Sequence, residues 1–138
     1  MRHLLQQAGL VDVVLCDSAG IIGYHAGEAP DARMREAARR RGLSMSGLAR
    51  QVMARDLDRF DLIVAMDYDN YTGLMKLATE RNRHKIRMFC SYCTRHTDRE
   101  VPDPYYGNAA GFEYVLDLLE DGCAQIIRDI ARTGEQEP

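Results

Sequence analysis

The sequence predicts an α/β fold in three layers, with a parallel sheet flanked by helices. Segments with helical and strand patterns alternate along the 138 residues. Residues 61–66 (DLIVAM) form a continuous apolar run, which is typical of a strand covered on both faces. Residues 111–132 carry apolar side chains at helical spacing. A chain of this length forms one domain, and we predict a single domain over residues 1–138 with residues 133–138 as a disordered tail.

The first half of the chain contains two predicted helices and one predicted strand. Residues 1–10 have the pattern of the second half of an amphipathic helix that ends at Gly9. Residues 11–17 (VDVVLCD) are rich in β-branched side chains and predict a strand. Asp31 is a good capping residue for a helix that continues to Arg41 and stops at Gly42. The arginines at positions 39–41 are interpreted as a solvated helix end.

The second half continues the alternation. Its predicted elements are a short helix over residues 53–60, the strand over 61–66, a helix capped by Asp67 or Asp69 and ending near Asn82, a strand over 85–89, and a last helix over 111–132. Sites in parallel α/β folds lie at the carboxyl ends of the strands. The loops over residues 18–30, 67–71 and 90–107 are therefore the candidate site loops.

Composition limits the partners of the protein. A net charge of −3 and a pI near 5.8 argue against a nucleic-acid partner. The sequence contains no apolar run of membrane-spanning length and no signal peptide, which predicts a cytoplasmic protein without membrane contact. In a reducing cytosol the four cysteines, Cys16, Cys90, Cys93 and Cys123, are expected to be free thiols.

One cysteine has the spacing of a phosphatase nucleophile loop. Cys93 precedes Arg99 by six residues in the stretch CTRHTDR. A phosphate-binding loop turns tightly and leads into a helix. This stretch lacks glycine, places Asp98 where it would repel phosphate, and is followed by an extended Val-Pro. The spacing is therefore interpreted as coincidence. Cys90 and Cys93 form a lone Cys-x-x-Cys without the second pair of a zinc site, and no metal is predicted.

The stretch Asp103-Pro104-Tyr105-Tyr106-Gly107 is the more informative one. Prolines on both sides of Asp103 stiffen its loop, and the two tyrosines can form the wall of a pocket for an aromatic ring. A carboxyl group beside aromatic surface can act as a general acid. The residues alone are equally compatible with a simple turn.

Five stretches of the chain form a recognisable set. They are residues 17–20 (DSAG), 24–33 (YHAGEAPDAR), 49–51 (ARQ), 60–67 (FDLIVAMD) and 101–107 (VPDPYYG). Through these stretches, which occur in family order and with family spacing, the chain resembles the low-molecular-weight protein tyrosine phosphatases, especially the bacterial ones.

The resemblance implies hydrolysis of phosphotyrosine through a cysteinyl-phosphate intermediate. Asp103 would protonate the leaving phenolate and then activate water. Tyr24, Tyr105 and Tyr106 would bind the substrate. The partners implied are phosphotyrosine-containing proteins or small aryl phosphates, and neither a metal nor another cofactor is required.

The sequence also departs from the family pattern. Family members begin with a strand and a Cys-x5-Arg-Ser nucleophile loop, whereas residues 1–10 resemble the end of the helix that follows them. We therefore expect a chain without the nucleophile and the phosphate-clamp arginine, inactive as written through truncation or a misassigned start, with about three strands remaining. Gly47 replaces a common histidine and Ile21 a common threonine.

Two alternatives remain open. The first is a non-catalytic module that binds a phosphotyrosine partner. The second is an arsenate reductase of related fold, to which Cys90 and Cys93 would contribute redox thiols.

The absence of a central strand predicts poor stability. Apolar burial is worth roughly 25 cal/mol per Å², and net stabilities are only about 5–15 kcal/mol. We expect the purified 138-residue chain to aggregate or to be poorly ordered. Thermal denaturation tests this, and a sharp cooperative transition of a soluble monomer would contradict it.

Overall fold

A computed structural model of the chain describes residues 1–105 and 107–135. The helices are α1 (Arg2–Gln7), α2 (Ala32–Arg40), α3 (Ala54–Arg59), α4 (Tyr68–Leu77) and α5 (Ala109–Glu135). The strands are β1 (Ile63–Ala65) and β2 (Ile86–Met88). Two 3-10 turns, Arg83–Lys85 and Phe89–Tyr92, flank β2.

The two strands run parallel, with Ile63 opposite Ile86 and Ala65 opposite Met88. Successive side chains of a strand point to opposite faces of the sheet. Ala65 accordingly packs with Leu74 of α4, while Val64 packs on the cluster that includes residues of α5. The sheet is covered by helices on both faces, which confirms the predicted α/β class.

The predicted strand over residues 11–17 is wrong. Residues 11–13 form a turn and residues 14–19 are irregular, with Val11, Val13 and Leu15 exposed to 51%, 76% and 65%. A β-rich sequence becomes a strand only where a neighbouring strand pairs with it. Within the described residues the sheet has two strands instead of three, and the nearest pairing is the isolated parallel bridge between Gly20 and Gln51.

Helix ends in the first half follow the predicted signals. Gly9 lies just after α1 with φ +69°, a conformation that glycine adopts without steric cost. The carboxylate of Asp31 caps α2 by accepting a 2.8 Å hydrogen bond from the Arg33 backbone N–H.

Several boundaries in the second half differ from the prediction. Helix α4 is capped by Asp67 but ends at Leu77, because Ala78 is extended and the Asn82 side chain closes a turn by accepting from the Thr79 N–H at 2.8 Å. Strand β2 is shorter than predicted because 3-10 turns take its ends. Helix α5 continues through residues 133–135 of the predicted tail, and residues 136–138 lie outside the described residues.

Arg41 is not a solvated helix end. Its side chain is 22% exposed and reaches α5, where it contacts Glu113 at 2.7 Å, Asp117 at 2.9 Å and Glu120 at 3.3 Å. Burial disfavours the charged guanidinium, but the hydrogen bonds to these carboxylates raise the pKa of Arg41 above its ordinary value. Arg41 thereby fixes the C-terminal end of α2 against α5.

None of the described helices combines the length and the apolarity that a bilayer crossing requires.

Gly122 provides a test of the α5 packing. A Cβ atom at this position would collide with the buried ring of Phe89. Alanine favours a helix over glycine by about 1 kcal/mol, but overpacking a core costs about 1–3 kcal/mol. We expect Gly122→Ala to lower the free energy of unfolding, measured by urea titration of a form extended ahead of Met1 by a family strand and Cys-x5-Arg-Ser loop.

Gly134→Ala is the matched control in the same helix, since no described atom lies within 4 Å of a Cβ built there. It should be neutral or stabilising. A Gly122→Ala variant as stable as the Gly134→Ala variant would contradict the packing described.

Candidate functional site

The loop that contains Asp103 lies at the carboxyl end of β1, as the predicted fold requires. The Val101 N–H donates to the carbonyl oxygen of Met66 at 2.8 Å. The carboxylate of Glu100 accepts a 2.8 Å hydrogen bond from the Tyr68 N–H in the first turn of α4. These two bonds hold the start of the loop against the end of the strand and the beginning of the following helix.

Asp103 presents an exposed carboxylate beside Tyr105. Its Oδ1 accepts a 2.9 Å hydrogen bond from the Tyr105 backbone N–H, an arrangement that fixes the direction of the side chain within the turn. The carboxylate lines an open depression of about 460 Å³. The other charged lining residues are Asp67, Asp69, Asp98, Arg99 and Glu100, so the depression is strongly acidic.

Tyr105 contacts the first turn of α2. The guanidinium carbon of Arg33 lies 5.3 Å from the centre of the Tyr105 ring and 4.7 Å from that of Phe112. The Tyr105 side chain is still 57% exposed. The structure therefore brings Asp103 and Tyr105 together on one loop, with one face of the tyrosine ring held by a cation.

Tyr24 lies on a different loop, over residues 18–30. It is 85% exposed, and its ring packs edge-to-face on His25 at 4.9 Å. The loop is anchored by backbone hydrogen bonds, among them one from the Gly27 N–H to the Ala49 oxygen at 2.7 Å. The fourth predicted site residue, Tyr106, lies outside the described residues.

Arg50 is a site-supporting residue that the sequence analysis did not identify. Its guanidinium contacts the carboxylates of Asp56 at 2.9 Å and Asp17 at 3.2 Å. The hydrogen bond with Arg50 is the main reason why the pKa of the buried Asp56 is lowered. The start of the Tyr24 loop is thus tied to helix α3. The only sequence signal was the presence of Asp17 and Arg50 in the family-like stretches DSAG and ARQ.

Cys93 is not arranged as a nucleophile. Its thiol donates to the Leu118 carbonyl oxygen at 3.7 Å. Burial is the largest effect on the thiol, and together with the nearby Cys90 and Asp121 it raises the pKa of Cys93 to about 12. Catalytic cysteines need the opposite, a lowered pKa. The structure agrees with the interpretation of the Cys93–Arg99 spacing as coincidence.

The backbone after Cys93 does bind an anion, but that anion is the side chain of Asp121. The buried Asp121 carboxylate accepts hydrogen bonds from the backbone N–H groups of Thr94 at 2.9 Å, Arg95 at 2.9 Å and His96 at 3.1 Å. The His96 ring nitrogen Nδ1 lies 2.7 Å from the same carboxylate. Burial favours the neutral acid, yet the donors of residues 94–96 outweigh it and lower the pKa of Asp121. Sequence reasoning missed this residue.

Within residues 1–105 and 107–135, no group of three His, Cys, Asp or Glu side chains comes together in a way that could hold a metal ion. All four cysteines are free.

Comparison with known proteins gives a consistent picture. The family model described as low molecular weight phosphotyrosine protein phosphatase matches residues 1–136. A Synechocystis protein that carries this family's name is 46% identical over 133 residues, covering 96% of this chain and 85% of the relative. The Bacillus subtilis low molecular weight protein-tyrosine-phosphatase YfkJ is 40% identical, with 95% and 83% covered.

A solved structure shows the same similarity. A crystal structure of a protein tyrosine phosphatase from Entamoeba histolytica, with Hepes in its active site, superposes with a TM-score of 0.93 at 38% identity. The match covers 96% of this chain and 85% of the Entamoeba chain.

The Asp121 contacts predict a pH-dependent contribution to stability. Because the folded-state pKa is lowered, the charged carboxylate stabilises the fold fully above the unfolded-state pKa of about 3.9. This stability is lost as the pH falls through the folded-state value. The substitution Asp121→Asn removes this contribution of the charged carboxylate. Each buried backbone N–H that is left without an acceptor costs roughly 1–3 kcal/mol of stability.

We expect Asp121→Asn to lower the free energy of unfolding of the extended form at pH 7 in urea titrations and to reduce its dependence on pH below about 4. Asp12→Asn is the control, since Asp12 is exposed and has no side-chain partner among the described residues. Equal stability of the two variants at pH 7 would contradict the role of Asp121.

Proposed function

Because this chain belongs to the low molecular weight phosphotyrosine protein phosphatase family, we propose that its Asp103 is the general acid of phosphotyrosine hydrolysis. The observation that carries the proposal is the placement of the Asp103 carboxylate. It is exposed at the carboxyl end of β1, on a loop anchored to Met66 and Tyr68, with Oδ1 turned toward the Tyr105 N–H.

This geometry suits proton transfer to a leaving group. The Tyr105 N–H occupies Oδ1, which leaves Oδ2 to carry the proton, and Asp103 lines the depression. A protonated Asp103 would donate to the phenolate oxygen as the bond to phosphorus breaks. The resulting carboxylate would then accept a proton from the water that hydrolyses the phosphoenzyme. Positioned general acids accelerate such steps by about 10²–10⁴-fold.

The exposed aromatic side chains suit an aryl phosphate substrate. Tyr105 presents a ring that is half exposed and held from the side of Arg33, and Tyr24 presents a nearly free ring from the other loop. Aromatic rings prefer offset or edge contacts with one another. We propose that these two rings and Tyr106 bind the substrate ring of phosphotyrosine proteins or small aryl phosphates, in a cytoplasmic protein that uses no cofactor.

The nucleophile is the component that these residues do not supply. Cys93 and Arg99 form the single Cys-x5-Arg pair in the printed sequence, and the raised pKa of Cys93 disfavours a thiolate. Since covalent attack on phosphorus requires a thiolate in this mechanism, we propose that the 138 residues alone do not turn over substrate. The alternative of a phosphotyrosine-binding module is disfavoured for a related reason, because a phosphate dianion needs converging N–H donors and an arginine, and the N–H groups that follow Cys93 are directed at Asp121 instead.

The test adds a family strand and Cys-x5-Arg-Ser loop ahead of Met1 and measures p-nitrophenyl phosphate hydrolysis. We expect activity in this extended form and none in the 138-residue chain. Asp103→Asn should lower the rate of the extended form by roughly 10²–10⁴-fold.

Asp69→Asn is the matched control, because Asp69 is another carboxylate of the same depression without an assigned role. It should retain most of the activity. Hydrolysis by the 138-residue chain would overturn the proposed inactivity, and full activity of the extended Asp103→Asn variant would overturn the role of Asp103.

A further inference from the structure

We propose that Arg33 is a positioning residue that holds Tyr105, and through Tyr105 the carboxylate of Asp103, against the N-terminal end of α2. The inference rests on the proposed function for its effect on catalysis, but the contact itself can be tested separately.

The guanidinium of Arg33 lies over two aromatic rings. Its central carbon lies 5.3 Å from the centre of the Tyr105 ring and 4.7 Å from the centre of the Phe112 ring. Phe112 belongs to the first turns of α5 and is buried, so it provides a fixed surface. A cation within about 6 Å of a ring face is attracted by the electrons of the ring. Arg33 therefore connects a loop residue to the rigid part of the fold.

Asp31 fixes the direction of the Arg33 side chain. The Asp31 carboxylate accepts hydrogen bonds from Nε of Arg33 at 3.3 Å and from Nη2 at 3.1 Å. The same carboxylate also accepts the Arg33 backbone N–H at 2.8 Å as the cap of α2. Two bonds from one planar guanidinium define its orientation as well as its position.

The position of Tyr105 affects the direction of the Asp103 carboxylate, because the two residues are close in the chain and joined by a hydrogen bond. The Tyr105 N–H donates to Asp103 Oδ1 at 2.9 Å, and only Pro104 separates the two residues. Pro104 has a restricted backbone and lies against Gly111 of α5, where a Cβ would come within 3.5 Å of the proline ring. A change in the Tyr105 ring position therefore alters the direction of the carboxylate.

The Arg33 side chain also connects the two candidate substrate loops. Asp31 directly follows the loop over residues 18–30 that presents Tyr24, and Arg33 reaches from Asp31 to Tyr105. Arg33 thus sets the position of the Tyr24 loop relative to the Asp103 loop.

Lysine should not replace Arg33. A guanidinium is planar, stacks on aromatic faces and binds a carboxylate through two N–H groups, whereas an ammonium is a compact point charge. A role that depended on charge alone would survive in Arg33→Lys, and a role that depends on stacking over two rings would not.

The catalytic test compares leaving groups in the extended, active form. A correctly placed general acid matters for phosphotyrosine, whose leaving phenolate is basic, and matters little for dinitrophenyl phosphate. We expect Arg33→Gln and Arg33→Lys to lower kcat/KM, which reports the step that releases the leaving group, on phosphotyrosine by about 10-fold or more, and on dinitrophenyl phosphate by less than about 2-fold.

Two controls make this result specific. Arg35→Gln removes an exposed arginine of α2 with no side-chain partner among the described residues, and it should leave both rates unchanged. In a Tyr105→Leu background, Arg33→Gln should cause no further loss, because the residues act through one contact. Equal losses on both substrates, full rescue by Arg33→Lys, or additive effects with Tyr105→Leu would overturn the proposal.

A measurement without catalysis separates this inference from the proposed function. In NMR spectra of the extended form, Arg33→Gln should shift the ring protons of Tyr105 and the carboxyl carbon of Asp103, and Arg35→Gln should not. Unchanged signals in Arg33→Gln would overturn the positioning role whatever the activities. Shifted signals combined with an inert Asp103→Asn substitution would leave the contact intact and overturn the proposed function.

Discussion

The buried carboxylate of Asp121 is the interaction on which the placement of the candidate site depends. The connection between β2 and α5 contains a long stretch, residues 93–105, without regular structure. Such stretches are uncommon in compact domains unless they carry function. Helix α5 supplies a charge inside the fold, and the N–H groups of residues 94–96 converge on it. The rest of the loop can then reach the end of β1, where Val101 is bound.

The sequence predicted the elements whose signals are local. The continuous apolar run around β1, the apolar stripe of α5 and the Asp31 cap each depend on neighbouring residues, and each is present in the structure. The strand predicted over residues 11–17 does not form, because a strand also needs a partner strand, which no local pattern specifies. Arg41 was misread for a similar reason, since its three carboxylate partners lie on a helix far along the chain.

The residues of the candidate site also fall into those that a local stretch of sequence predicts and those that depend on distant parts of the chain. Asp103 and Tyr105 were predictable because the stiff Asp-Pro-Tyr stretch is contiguous and resembles a known family. Arg33 was not, because the two rings that hold it come from a loop and a helix more than seventy residues away. The spacing of Cys93 and Arg99 suggested phosphate binding, yet the N–H groups that a phosphate would need are directed at Asp121.

The central claim is that Asp103 donates a proton to the leaving phenolate, and the dependence of kcat/KM on the leaving group tests it most directly. With phosphotyrosine, whose leaving phenolate is basic, Asp103→Asn should lower kcat/KM of the extended form by roughly 10²–10⁴-fold. With dinitrophenyl phosphate, whose leaving group needs little help from an acid, the same substitution should have a much smaller effect. Equal losses on the two substrates would contradict the claim.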